Sequence, residues 1–112
     1  MAKEYQELFS RWCAERVPGH ARAALQIGYS IHGDQVTIVS RRPPTYPELD
    51  SAWSTVRVAQ LRHNDPAKGL WRLYRPSDSP NDGWQRYDHP PTTMPEPLLA
   101  EIANDPHSSF WG

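Results

Sequence analysis

Two W-x-x-Y boxes follow one another late in the chain, Trp71-Arg72-Leu73-Tyr74 and Trp84-Gln85-Arg86-Tyr87. Their spacing predicts neighbouring strands of one antiparallel hairpin, with the turn between Ser77 and Gly83. The chain then closes on Asp105-Pro106-His107-Ser108-Ser109-Phe110-Trp111-Gly112. An end that carries Phe and Trp reads as one tied down onto a core, because loose termini seldom hold large apolar groups. These features constrain the fold and leave the chemistry open.

The rest of the chain supplies the partners such a hairpin needs. Tyr5, Leu8, Phe9, Trp12 and Arg16 recur at the i, i+3, i+4, i+7 spacing of an apolar stripe, so residues 3–17 are read as a helix ended by Pro18-Gly19. A short helical turn is expected from His20 to Ala24. Leu25, Ile27, Tyr29 and Ile31 alternate with small and polar residues, as in a half-buried strand, and His32-Gly33-Asp34-Gln35 turns it back into Val36–Ser40. The proline-rich stretch from Arg41 to Asp50 is a loop. Thr55–His63 is the third strand, with a phase ambiguity at Val58-Ala59 that reads as a bulge. Leu70–Arg75 and Trp84–Tyr87 complete the sheet. A last helix starts near Thr93, with Thr93 as cap and Pro95 in its first turn, turns Leu98, Leu99 and Ile102 inward, and stops at Asp105-Pro106. The expected fold class is α+β: a two-layer single domain over residues 1–112, an antiparallel meander of four to five strands packed by an N-terminal and a C-terminal helix.

Composition removes several function classes. The net charge of −1 gives no global field toward nucleic acid or membrane, but the charge is uneven. Residues 41–86 hold eight basic and five acidic groups, whereas residues 87–112 hold four acidic groups and no Lys or Arg. Cys13 is the one cysteine, which excludes an internal disulfide and a thiolate metal cage. No run approaches the roughly 20 apolar residues of a membrane span, and the charged start MAKEYQELFS lacks the apolar stretch of a signal peptide, so the expected location is the cytoplasm.

The runs Leu25-x-Ile27-Gly28-Tyr29, Trp71-Arg72-Leu73-Tyr74 and Trp84-x-x-Tyr87, with the ending Asp105-Pro106-His107 to Phe110-Trp111-Gly112, resemble a family of small bacterial proteins, the domain of unknown function 3024 family. The resemblance spans roughly residues 5–112, and the terminal D-P-H-x-x-F-W-G is its most specific part. That family often carries Gly-Cys where this chain has Ser108-Ser109, a departure that removes thiol chemistry from this end. The resemblance supports the architecture and implies no activity.

Catalytic constellations are sparse. His20, His32, His63, His89 and His107 include no i, i+4 pair on a helix and no H-E-x-x-H, so no metal or other cofactor is expected. His107 reads best as a group that hydrogen-bonds the chain end into the sheet. Cys13 beside Trp12 reads as a small apolar residue rather than a nucleophile. The expectation leans away from an enzyme and toward a small non-enzymatic binding module.

Two surfaces compete for that role. The 42–53 segment offers Tyr46 and Trp53 beside prolines, which suits a protein partner or self-association, and this reading is favoured. An edge-strand dimer through strand two or five is a variant of it. The alternative is single-stranded nucleic acid on the sheet. Strand alternation sends Trp71 and Leu73 to the core and Arg72 and Tyr74 to the other face, near Arg86, and arginines interleaved with aromatic rings suit phosphates and bases. Arg72, Tyr74, Arg86, Tyr46 and Trp53 are therefore the candidate partner-binding residues, while Trp71, Trp84, Phe110 and Trp111 are assigned to structure.

Overall fold

A computed structural model describes residues 3–17, 19, 25–46, 48–49, 51–65, 69–77 and 83–111, with backbone alone at 64–65. Helix α1 (Lys3–Arg16) leads into five strands, β1 (Gln26–His32), β2 (Gln35–Arg42), β3 (Ser54–Asp65), β4 (Leu70–Pro76) and β5 (Trp84–Arg86), and helix α2 (Glu96–Asn104) follows. The strands form one sheet in the order β1-β2-β3-β4-β5, every neighbouring pair antiparallel. This is the expected α+β meander. The helical turn expected at His20–Ala24 lies outside the described residues.

The core lies between the helices and one sheet face. Phe9, Trp12 and Cys13 of α1 and Leu98, Leu99 and Ile102 of α2 are buried with Val36, Ile38, Ala59, Leu61, Trp71 and Leu73 from the strands. The strand positions are the alternate ones, as a half-covered sheet requires. Trp71 is wholly buried in a ring cluster: His63 stacks on it at 4.4 Å, Tyr5 meets it edge-on at 5.2 Å, and Phe9 at 6.0 Å. Such contacts add about 0.5–1.5 kcal/mol each beyond burial. No helix among the described residues is long and apolar enough to cross a membrane.

The phase ambiguity at Val58-Ala59 is a bulge. Ile38 pairs with Ala59 but Val39 pairs with Arg57, so Val58 is the extra residue, and Val58 and Ala59 are both buried. The bulge resets the alternation and carries Arg57 onto the face away from the helices, opposite Val39.

Three expectations are corrected. Strand two is interior, paired to β1 and β3, so the sheet edges are β1 and β5 and the edge-dimer variant through strand two fails. Thr93 does not cap α2: the helix starts only at Glu96, so Pro95 occupies the cap position, its ring offers no acceptor for a side-chain cap bond, and the N–H groups of Leu98 and Leu99 go to its carbonyl instead. His107 is exposed, its ring 6.4 Å from that of Tyr87, and no hydrogen bond from it to a described residue ties the chain end. Asp105 ties it instead. It adopts a left-handed conformation (φ 42°) at the end of α2, and its carboxylate accepts the backbone N–H groups of Ser109 (2.7 Å), Phe110 (3.2 Å) and Trp111 (3.0 Å). Trp111 then donates its indole N–H to the Ile102 carbonyl at 2.8 Å. Phe110 is thereby buried against Tyr87, centroids 4.9 Å apart, whereas Trp111 stays 40% exposed.

Candidate nucleic-acid interface

Both helices pack on one side, so the other face of the sheet has no described helix over it. The alternation that buries Trp71 and Leu73 places Arg72 and Tyr74 on this open face, as expected. The register extends it. Tyr74 is opposite Arg86 on β5 and opposite Gln60 on β3, and Arg72 is opposite Arg62. Arg57 joins through the bulge, and Arg41 lies two residues beyond Val39 on β2. Arg41, Arg57, Arg62, Arg72 and Arg86 thus share one face. Among the described side chains on it there is no Asp or Glu, and no ion pair joins any of these arginines to a described carboxylate. Two acidic groups near the chain end are occupied on the opposite layer, where Glu101 accepts the Tyr87 hydroxyl (2.8 Å) and Asp105 clamps the terminus, while Asp88 lines a depression with Arg86 at the rim of the face.

The arginines are held by rings and backbone. The Arg62 guanidinium lies over the Tyr74 ring at 3.9 Å, and its Nε donates to Gln60 Oε1 at 2.6 Å. Gln60, buried although polar, donates in turn to Thr37 Oγ1 at 2.9 Å. Arg57 lies over Trp84 at 5.0 Å and donates through Nη1 to the Gly83 carbonyl at 2.7 Å. Stacking of this kind lets a cation sit over apolar surface while its remaining N–H groups stay available. Trp84, assigned to structure from sequence, is half-buried on this open face rather than in the core, because its register position opposite Pro76 shares the parity of Tyr74.

The candidate residues therefore fall into two groups. Arg72, Tyr74 and Arg86 come together on the sheet. Tyr46 and Trp53 sit apart, in the β2–β3 loop at the far end of β3. There Tyr46 is 62% exposed and Leu49 81% exposed, and Tyr46 and Leu49 line a shallow depression with Pro43, Pro44, Ala52 and Ser54. The interleaving of arginines and rings in the sequence includes Arg57 without placing it on a face, and Gln60 was passed over as a partner of the stacked rings. The signal for Arg57 was the phase break at Val58-Ala59; for Gln60 there was none, since its burial depends on Arg62 and Tyr74 folding over it.

Reactive groups are quiet. Burial pushes the Cys13 thiol up to about 11, against a smaller opposing pull from Arg16. Tyr87 is pushed up to about 12, first by burial and then by its hydrogen bond to Glu101. Among the described residues no group of three or more His, Cys, Asp and Glu gathers that would hold a metal.

In comparisons with known proteins, no curated protein and no solved structure matches the chain. A family described as Domain of unknown function (DUF3024) matches over residues 1–112, the whole chain. With the aromatic boxes and the D-P-H-x-x-F-W-G ending accounted for by the fold, the chain belongs to the DUF3024 family.

Proposed function

We propose that this protein is a small non-enzymatic binding module whose open sheet face takes single-stranded nucleic acid. The observation that carries the reading is the segregation of charge: five arginines, two of them laid over aromatic rings, share one face that no described helix covers, without a carboxylate among its described side chains. Arginine suits phosphate, and rings on an open sheet suit unstacked bases. The overall charge of −1 hides this, because it also counts the acidic groups of the helix layer, among them Glu4, Glu7 and Glu15 of α1 and Glu101 of α2. A cytoplasmic, bacterial setting fits the single buried, unpaired cysteine.

The test is fluorescence anisotropy with a labelled single strand of about 12 nucleotides, a length within the site sizes of such platforms. If about three phosphates are neutralised, log Kd changes with log salt with a slope near 2. A duplex of equal length binds more weakly, since its bases offer no stacking face. Absence of single-strand affinity at low salt removes the reading.

A second reading, docking of a protein partner or a second copy, is supported by the exposed Tyr46, Leu49 and Trp53 of the β2–β3 loop. A pull-down from the host with and without nuclease separates the two. A stoichiometric protein that survives nuclease and is lost on Tyr46→Ala favours the loop; recovery that collapses with nuclease favours the sheet.

A further inference from the structure

Arg62 and Arg72 stand directly opposite each other on β3 and β4. Like charges at such a cross-strand position repel, with Cβ atoms about 4.5–5.5 Å apart. A sheet that places two arginines there with no described carboxylate between them carries a destabilising pair. The second peculiarity is on Arg72 itself. Its Nη1 is buried and has no hydrogen-bond partner. A guanidinium merely reaching into solvent would hydrate that nitrogen; here it is shielded and lacks an acceptor, a costly state for a charged donor. The opposing guanidinium is fixed rather than free. Arg62 is pinned by the Tyr74 ring beneath it and by Gln60 at Nε, and Gln60 is anchored to Thr37. Its terminal nitrogens are the edge left to a ligand.

We infer that the Arg62–Arg72 pair is a subsite for one tetrahedral oxyanion of the phosphate class. The anion sits against the two guanidinium groups, accepts from the terminal edge of Arg62 and from Arg72 once its shielded Nη1 turns outward, and offsets the positive charge of both. Arginine forks match such oxygens bidentately, and Arg62, pre-positioned by its stack on Tyr74, loses little freedom on binding. The inference rests on the reading of the open face as a nucleic-acid surface and deepens it: the subsite marks where one backbone phosphate of the strand is gripped, with Tyr74 next to it on the side of Arg86. A free phosphate offers the same chemistry, so the source is decided by experiment.

Thermal unfolding is followed in increasing inorganic phosphate at constant ionic strength, balanced with chloride, for the wild type, Arg72→Gln and Arg62→Lys. Phosphate raises the melting temperature of proteins in general by exclusion from their surface, so the readout is the saturable part present in the wild type and missing in the variants. In parallel the labelled single strand is titrated against all three. A saturable shift is expected in the wild type and its loss in Arg72→Gln, with strand affinity about tenfold weaker in that variant, as for one charge-assisted contact. Should Arg72→Gln not fold, Arg62→Lys keeps the charge, removes the fork and the stack, and still loses most of the shift. A saturable phosphate shift without strand affinity upholds the subsite and ends the nucleic-acid reading. Strand affinity indifferent to both substitutions upholds that reading and overturns the subsite. No saturable shift in the folded wild type also overturns it.

Discussion

Asp105 shows how much one side chain holds here. The D-P-H-x-x-F-W-G ending reads as a fastened terminus, and His107 is the residue sequence reading would choose to fasten it. The aspartate does so instead, because a left-handed residue at the end of α2 aims its carboxylate at three successive N–H groups. Asp105→Ala removes those acceptors and places a Cβ with no local hydrogen bond at φ 42°; we expect a loss of about 2–4 kcal/mol in urea unfolding. Asp105→Asn, which tolerates that conformation and keeps one acceptor, costs less. Phe110→Ala costs about 3–5 kcal/mol as a buried aromatic, whereas Trp111→Ala costs less than that, since the ring is 40% exposed. Arg72→Ala, in contrast, costs well under about 1 kcal/mol or is stabilising, because it relieves a cross-strand repulsion.

At the level of elements, periodicity made most of the fold legible. The apolar stripe of α1, the alternation of β1 and β2 and the paired aromatic boxes of β4 and β5 each match the observed element. The start of α2 was not legible, because Thr93, Pro95 and Pro97 give conflicting signals and tertiary packing of Leu98 and Leu99 decides where the helix begins. The site was half legible: alternation alone put Arg72 and Tyr74 outward, but the contribution of Arg57 depends on a bulge whose register only the partner strand sets. β5 is three residues long and is held partly by Arg57 at the Gly83 carbonyl. Gly83 has φ 72°, and a Cβ there would lie 3.2 Å from Arg57 Nη1. Gly83→Ala should therefore destabilise by about 1–2 kcal/mol, and hydrogen exchange should show the loss concentrated in residues 84–86. In α1, the buried Cys13 thiol has a folded pKa raised from 9.0 to about 11, and a raised pKa means the neutral form is favoured by folding. Its contribution is fully present below pH 9.0 and is lost as pH rises through about 11; Tyr87, raised from 10.0 to about 12, adds a loss at higher pH. Melting temperature measured from pH 8 upward should fall, and Cys13→Ala should remove the part of the fall that begins near 9.0.

Taken as a whole molecule, the protein separates its functions by layer. One sheet face and both helices spend the large aromatics and aliphatics on stability; the other face carries arginines and rings that the core does not need. Net charge is uninformative for such a molecule, since acidic groups of the helix layer, such as Glu101 and Asp105, offset the basic face in the sum. The most direct test is amide chemical-shift mapping by NMR with a single strand of about 12 nucleotides. Perturbations clustered at residues 57–62, 72–76 and 84–86, and fading as salt is added, are the predicted result. Perturbations confined to the β2–β3 loop or the helices, with the open face silent, would contradict the account.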